Sequence, residues 1–171
     1  HSIIHYADYV YLNTNENDRY AHSVTYRDIR FIETLRTKYP LHKFERAAPL
    51  MRELRPIKSP IEIELTQHAC DITKDAFLRV LKFVKPGVME YEVEAEIIHE
   101  FIKNRATGHG YSPIIASGNN ANILHYTDNN QPCKDEELIL MDFGAEYANY
   151  NADMTRTIPV NGKLKKKKKE V

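Results

Sequence analysis

Apolar positions recur about one helical turn apart along much of the chain, then give way after residue 110 to short β-branched runs. In "SVTYRDIRFIETLRTKYP" (23–40), Ile29, Ile32 and Leu35 lie at helical spacing and Pro40 follows as a stop. The segment before it is rich in tyrosine and asparagine, and "TNENDRY" reads as a loop. "HKFERAAPLMRELRPIKSP" (42–60) is basic and punctuated by Pro49, Pro56 and Pro60, so it reads as a connector between two modules. A strong helix start follows: Ser59 is placed to cap, Pro60 takes the first position, and Glu62 completes a capping box. Leu65, Ala69, Ile72, Ala76, Val80 and Phe83 continue the stripe until "KPG" at 85–87 ends it. A second helix, roughly 89–104, presents Val93, Ile97 and Phe101, with Ile98 and Ile102 beside them.

The later part of the chain predicts strands and turns. "YSPIIAS" and "ILHYT" read as short strands separated by the turn "GNNAN", and "DNNQPCKDE" reads as a loop. "ELILMDF" and "ADMTRTIPV" are two further strands. Helices followed by strands, with no internal repeat, predict an α+β fold rather than a doubly wound sheet.

Composition narrows the class. The 171 residues are 42% hydrophobic and 28% charged, ordinary for a soluble globular protein. No apolar run approaches the roughly 20 residues that a membrane helix needs, and no signal peptide opens the sequence, so no membrane partner is expected. Cys70 and Cys133 lie far apart without CxxC spacing, which points to a reducing cytoplasm rather than a disulfide framework. The formal net charge of zero conceals an asymmetry, because residues 163–171 hold six lysines and one glutamate. The remaining body carries 18 basic and 23 acidic residues, which argues against a nucleic-acid partner. The lysine run reads as a solvated terminus.

The chemistry concentrates in "LILMDFGAEYANYNADMTRTIPV" (138–160), where Asp142 and Asp153 interrupt apolar strands. If the two strands form an antiparallel hairpin turning near Tyr147–Ala148, Asp142 and Asp153 stand directly opposite each other. Opposed residues share a face with Cβ atoms about 4.5–5.5 Å apart. Like charges that close need a cation or a shared proton. Two carboxylates on adjacent strands suit a pair of hard or borderline metal ions. The spacing also fits a plainer arrangement, in which one aspartate caps a turn and the other pairs with Arg156 or a lysine.

A wider pattern bears on that choice. "ILHYTDNNQPCKDEELILMDFGAEYANYNADMTRTIPVNGK" resembles the catalytic half of the pita-bread metallopeptidases, specifically the aminopeptidase P (Xaa-Pro aminopeptidase) family. "SPIEIELTQHACDITKDAF" and "VKPGVMEYEVEAEIIHEF" resemble that family's first two catalytic-domain helices, so the likeness covers about residues 50–163. It implies residues 1–45 as the end of an N-terminal creatinase-like domain and 46–171 as the first half of a pita-bread catalytic domain. It also implies that Asp142 and Asp153 are the first two metal ligands, Asp142 bidentate on one ion and Asp153 bridging both. His125 matches a histidine that lines the substrate site and assists the chemistry, and Tyr111 matches a substrate-pocket tyrosine. The implied cofactor is two divalent ions, manganese in most relatives, with zinc or cobalt as alternatives. They share a hydroxide that attacks the peptide carbonyl, because water bound to metal ionises near neutral pH instead of at about 15.7. The implied substrate is a peptide with proline at its second position, and the implied assembly is a dimer or tetramer. His68, His99 and His109 lack motif support and read as surface or helix-face residues; Asn119, Asn120 and Asn122 read as turn formers.

The family completes its metal site with one histidine and two glutamates further along than Val171. The expectation is therefore half a metal site and an inactive chain when taken alone. Glu136 in "KDEEL" stands where the family places a turn glycine, and "KLKKKKKEV" stands where it begins its next helix. Two alternatives belong to the same fold: a prolidase cutting Xaa-Pro dipeptides, and a non-catalytic module that binds peptide or protein. Retention of both aspartates and His125 speaks against the module. A third alternative is a creatinase-like hydrolase acting on small C–N substrates; that family lacks the paired metal ligands, so Asp142 with Asp153 weighs against it.

Overall fold

The computed structural model describes residues 3–14 and 26–163. The asparagine-rich loop from residue 15 and the lysine run from residue 164 lie outside the described residues. The chain divides into two compact units, His1–Lys58 and Ser59–Val171.

In the first unit, strands β1 (Tyr9–Leu12) and β2 (Lys43–Arg46) pair in parallel. Helix α1 (Arg27–Lys38) lies between them in sequence, and its Leu35 is buried. A second helix, α2, spans Ala48–Leu54. The expected connector at 42–60 is thus a strand and a helix over much of its length. Its prolines do not prevent this: Pro49 occupies the first turn of α2, where a missing N–H costs nothing, and Pro56 falls after the helix ends.

The second unit is built on α3 (Pro60–Phe83) and α4 (Glu90–Lys103). The Ser59 N–H donates to the Glu62 Oε2 at 2.7 Å, closing the capping box that the sequence signals. Ile72, Ala76 and Val80 of α3 meet Val93, Ile97 and Phe101 of α4 in one core cluster. Burying each of the large side chains contributes roughly 1.5–3 kcal/mol. Ile102 departs from expectation: it lies off this stripe and is 65% exposed. No helix among the described residues is long and apolar enough to cross a membrane.

Two small sheets complete the unit. Strands β3 (Gly108–His109), β6 (Ala145–Tyr147) and β7 (Tyr150–Asn151) form one, in the order β3-β6-β7. Strands β4 (Ile114–Ser117), β5 (Leu138–Phe143) and β8 (Met154–Pro159) form the other, in the order β4-β5-β8, all antiparallel. On β5, Ile139, Met141 and Phe143 face the core, and Leu138, Leu140 and Asp142 occupy the half-exposed face. The acidic residue therefore alternates out of the core.

"ILHYT", expected as a strand, is instead bend, turn and irregular chain after a 3-10 turn at Gly118–Asn122. Ile123 and Leu124 are exposed, and His125 adopts a left-handed backbone with φ 56°, which no strand accommodates. Thr73 fastens α3 to the sheet: its hydroxyl donates to the Ala69 carbonyl at 2.8 Å and accepts from the Ala145 N–H at 3.0 Å. Cys70 and Cys133 are both free thiols, the first exposed and the second buried.

Candidate metal centre

The hairpin that carries the two aspartates turns one residue later than expected. Tyr147 pairs with Tyr150, and the two residues between them, Ala148 (φ 50°) and Asn149 (φ 68°), are both left-handed, as a two-residue type I′ turn requires. Asp142 consequently stands opposite Thr155, not opposite Asp153. The shift of two positions preserves the face, because side chains alternate with period two, and makes the aspartates diagonal neighbours.

Gly144 makes the corner between the two sheets. A Cβ built there would lie 1.8 Å from the Ala152 carbonyl oxygen, so only glycine lets the two strands close at this point. Asp153 follows directly from that contact, just before β8 begins.

Tyr111 reaches the pair through a bulge. Between His109↔Ala145 and Ile114↔Asp142, one strand advances five residues while its partner advances three. The extra residues carry the Tyr111 side chain over the sheet, where its hydroxyl lies 2.6 Å from Asp142 Oδ1 and 3.1 Å from Asp153 Oδ1. Burial first, and then the Asp142 and Asp153 carboxylates, hold the phenol far above its ordinary value, so it stays protonated as a donor.

One phenol carries one proton. It satisfies a single carboxylate oxygen, which leaves the second oxygen facing a lone pair. The plainer arrangement, an aspartate paired with Arg156 or a lysine, is not formed: the Arg156 guanidinium donates to the Thr155 carbonyl, and no ion pair to either aspartate occurs among the described residues. Two converging acceptor-only groups without a cation are chemically suited to a divalent ion. The donor set is partial, since the described residues contain no group of three or more His, Cys, Asp or Glu side chains able to hold a metal.

His125, Thr127, Tyr111, Ser112 and Ile114 line, with the two aspartates, a cleft of about 390 Å³. All four residues singled out from the sequence therefore meet at one place. Holding His125 left-handed costs about 1–3 kcal/mol, which the surrounding contacts must supply. They include two groups that sequence reasoning missed. Buried Glu90 accepts hydrogen bonds from residues on both sides of His125. Buried Asn129 accepts from the Ile115 N–H at 2.9 Å and donates to the Pro113 carbonyl and to Glu94 Oε2. A signal for Glu90 was present, because it is in phase with the apolar stripe Val93–Ile97–Phe101, where an exposed acidic residue has no place. His68 and His99 are exposed, as expected. His109 is not a surface residue: both ring nitrogens are buried without a hydrogen-bond partner, against the Phe101 ring.

Comparison with known proteins follows the same residues. Residues 64–171 match metallopeptidase family M24. The chain is 45% identical over 123 residues to Xaa-Pro aminopeptidase of Haemophilus influenzae, a match covering 72% of this chain and 29% of that protein. Zinc-substituted Escherichia coli aminopeptidase P in complex with product resembles it with a TM-score of 0.78 at 35% identity, over 95% of this chain and 37% of that one. Pseudomonas aeruginosa aminopeptidase PepP gives a TM-score of 0.78 at 33% identity, over 95% and 37%. The chain thus spans well under half the length of the relatives it matches, and its mixed helix-and-strand fold is that part of the pita-bread architecture. With the family match extending over most of its residues, the chain belongs to metallopeptidase family M24.

Proposed function

We propose that this chain supplies part of the catalytic domain of a metal-dependent aminopeptidase that releases the first residue from peptides with proline in second position. The observation that carries the proposal is the convergence of Asp142 and Asp153 on one tyrosine hydroxyl inside a cleft that also holds His125. The family membership and the Xaa-Pro aminopeptidase relatives support it.

Asp142 and Asp153 would hold the cations, two divalent ions with manganese as the proposed species; a zinc-substituted relative supports divalent metal in general. Bound there, such ions supply Lewis acidity and a nucleophile at neutral pH. Tyr111 donates a hydrogen bond to Asp142 and so helps orient that carboxylate. His125, lining the same cleft, would hydrogen-bond the peptide, and Ile114 supplies an apolar wall. Because the described residues contribute two carboxylate ligands, the 171-residue chain alone is expected to show no turnover.

The test is manganese-dependent release of the first residue from an Xaa-Pro-containing tripeptide by the full-length protein. Changing a residue one step removed from a metal costs about 10- to 100-fold, so Asp153→Asn is expected to cost at least about a hundredfold. Unchanged activity in that variant would contradict the assignment. Cleavage of Xaa-Pro dipeptides but not of longer peptides would make the protein a dipeptidase instead.

A further inference from the structure

We infer that Glu90 is a positioning residue for His125, a buried carboxylate that grips the chain on both sides of the cleft histidine. The inference rests on the proposal that His125 works in that cleft.

Glu90 is fully buried, 0% exposed, at the first position of α4. No cation among the described residues pairs with it. Its charge is balanced by five hydrogen bonds divided between its two oxygens. Oε1 accepts from the Ser117 N–H at 2.7 Å, the Ser117 hydroxyl at 2.7 Å and the Asn120 amide at 3.0 Å, all before His125. Oε2 accepts from the Tyr126 hydroxyl at 2.7 Å and the Gln131 N–H at 2.9 Å, both after it. The Asn120 amide also donates to the Tyr126 oxygen at 3.1 Å, closing a ring of three side chains. The Glu90 N–H in turn donates to the Gln131 carbonyl at 3.0 Å.

An ion with no counter-ion is an expensive way to stabilise a core, since apolar residues of similar volume do it as well or better. What the carboxylate gains is geometry. The loop it holds lacks strand pairing of its own, apart from the single bridge Met89↔Pro132. Leu124 is 85% exposed and contributes little packing. Tyr126, the next residue after His125, is buried, and its hydroxyl ends on Glu90. The left-handed turn at His125 is thereby pinned from within one residue. A catalytic group misplaced by about 1 Å loses on the order of a hundredfold in rate, so such a pin has functional value.

A neutral amide cannot replace the carboxylate. Glu90→Gln turns one oxygen into an N–H donor that must face either Ser117 and Asn120 or the Gln131 N–H. Tyr126→Phe puts no donor against the carboxylate: it removes one bond to Oε2, together with the bonds that the Tyr126 oxygen accepts from the Asn120 amide and the Asn130 N–H, and leaves the ring buried. The experiment is hydrogen exchange by mass spectrometry, with peptidase kinetics, on the full-length protein and its Tyr126→Phe, His125→Ala and double variants. Tyr126→Phe is expected to speed exchange in 118–131 without changing it in β5 and β8, and to lower kcat by about tenfold with little effect on KM. In the His125→Ala background the same change is expected to cost less than about twofold, because its effect passes through His125. Unchanged exchange in 118–131, or losses that multiply in full in the double variant, would overturn the inference. Absence of Xaa-Pro cleavage by the unmodified protein would sink the proposed function alone, with the exchange experiment still deciding whether Glu90 holds the loop.

Discussion

Several residues here hold backbone conformations that their side chains resist, His125 in the cleft and Glu136, Ala148 and Asn149 in turns among them. Glu136 has φ 63° in the turn before β5, a conformation that glycine adopts without a Cβ penalty. A non-glycine residue in the left-handed region costs about 1–2 kcal/mol, offset in part by the greater freedom of glycine in the unfolded chain. Glu136→Gly is therefore expected to stabilise the protein by about 0.5–1 kcal/mol, read as a higher thermal midpoint; a lower midpoint would show that the glutamate's own contacts outweigh the strain. That His125, Asp142 and Asp153 would meet was legible because their motif is local: "LHY" and the two aspartates lie within thirty residues. Glu90 was less legible because Glu92 beside it is equally acidic, and only its phase with the buried stripe separates the two.

At the level of elements, the long amphipathic helices followed from their stripes, and the capping box fixed where α3 begins. The hairpin register did not follow. Its turn uses Ala148 and Asn149, and alanine is an unusual occupant of a left-handed turn position, so the sequence carried no Asn-Gly or Asp-Gly signal to locate it. Gly144 supports that register, because its missing side chain lets the two strands touch beside Asp153. Gly144→Ala puts a methyl group into the Ala152 backbone, which cannot swing aside as a flexible side chain would. A cost of about 1–3 kcal/mol or more is expected, seen as a lower thermal midpoint and faster exchange in β6 to β8. A variant as stable as the parent would show that the corner is not held by this contact. The segment 42–60 was misread for a related reason: proline marks a break in a helix interior but is tolerated in a first turn, and position within an unseen helix decides which applies.

At the scale of the whole molecule, the second unit brings four residues from four separate stretches of chain to one cleft. Tyr111 arrives by a bulge, His125 by a pinned turn, Asp142 by the outward face of β5 and Asp153 by the glycine corner. This convergence, in a chain of metallopeptidase family M24, supports reading the aspartates as metal ligands rather than as a surface ion pair. That claim is tested most directly by the metal content of the full-length protein after loading with manganese and removal of excess. The account predicts about two ions per chain in the unmodified protein, with marked loss in both Asp142→Asn and Asp153→Asn while the fold is retained. Equal metal content in all three proteins would contradict it.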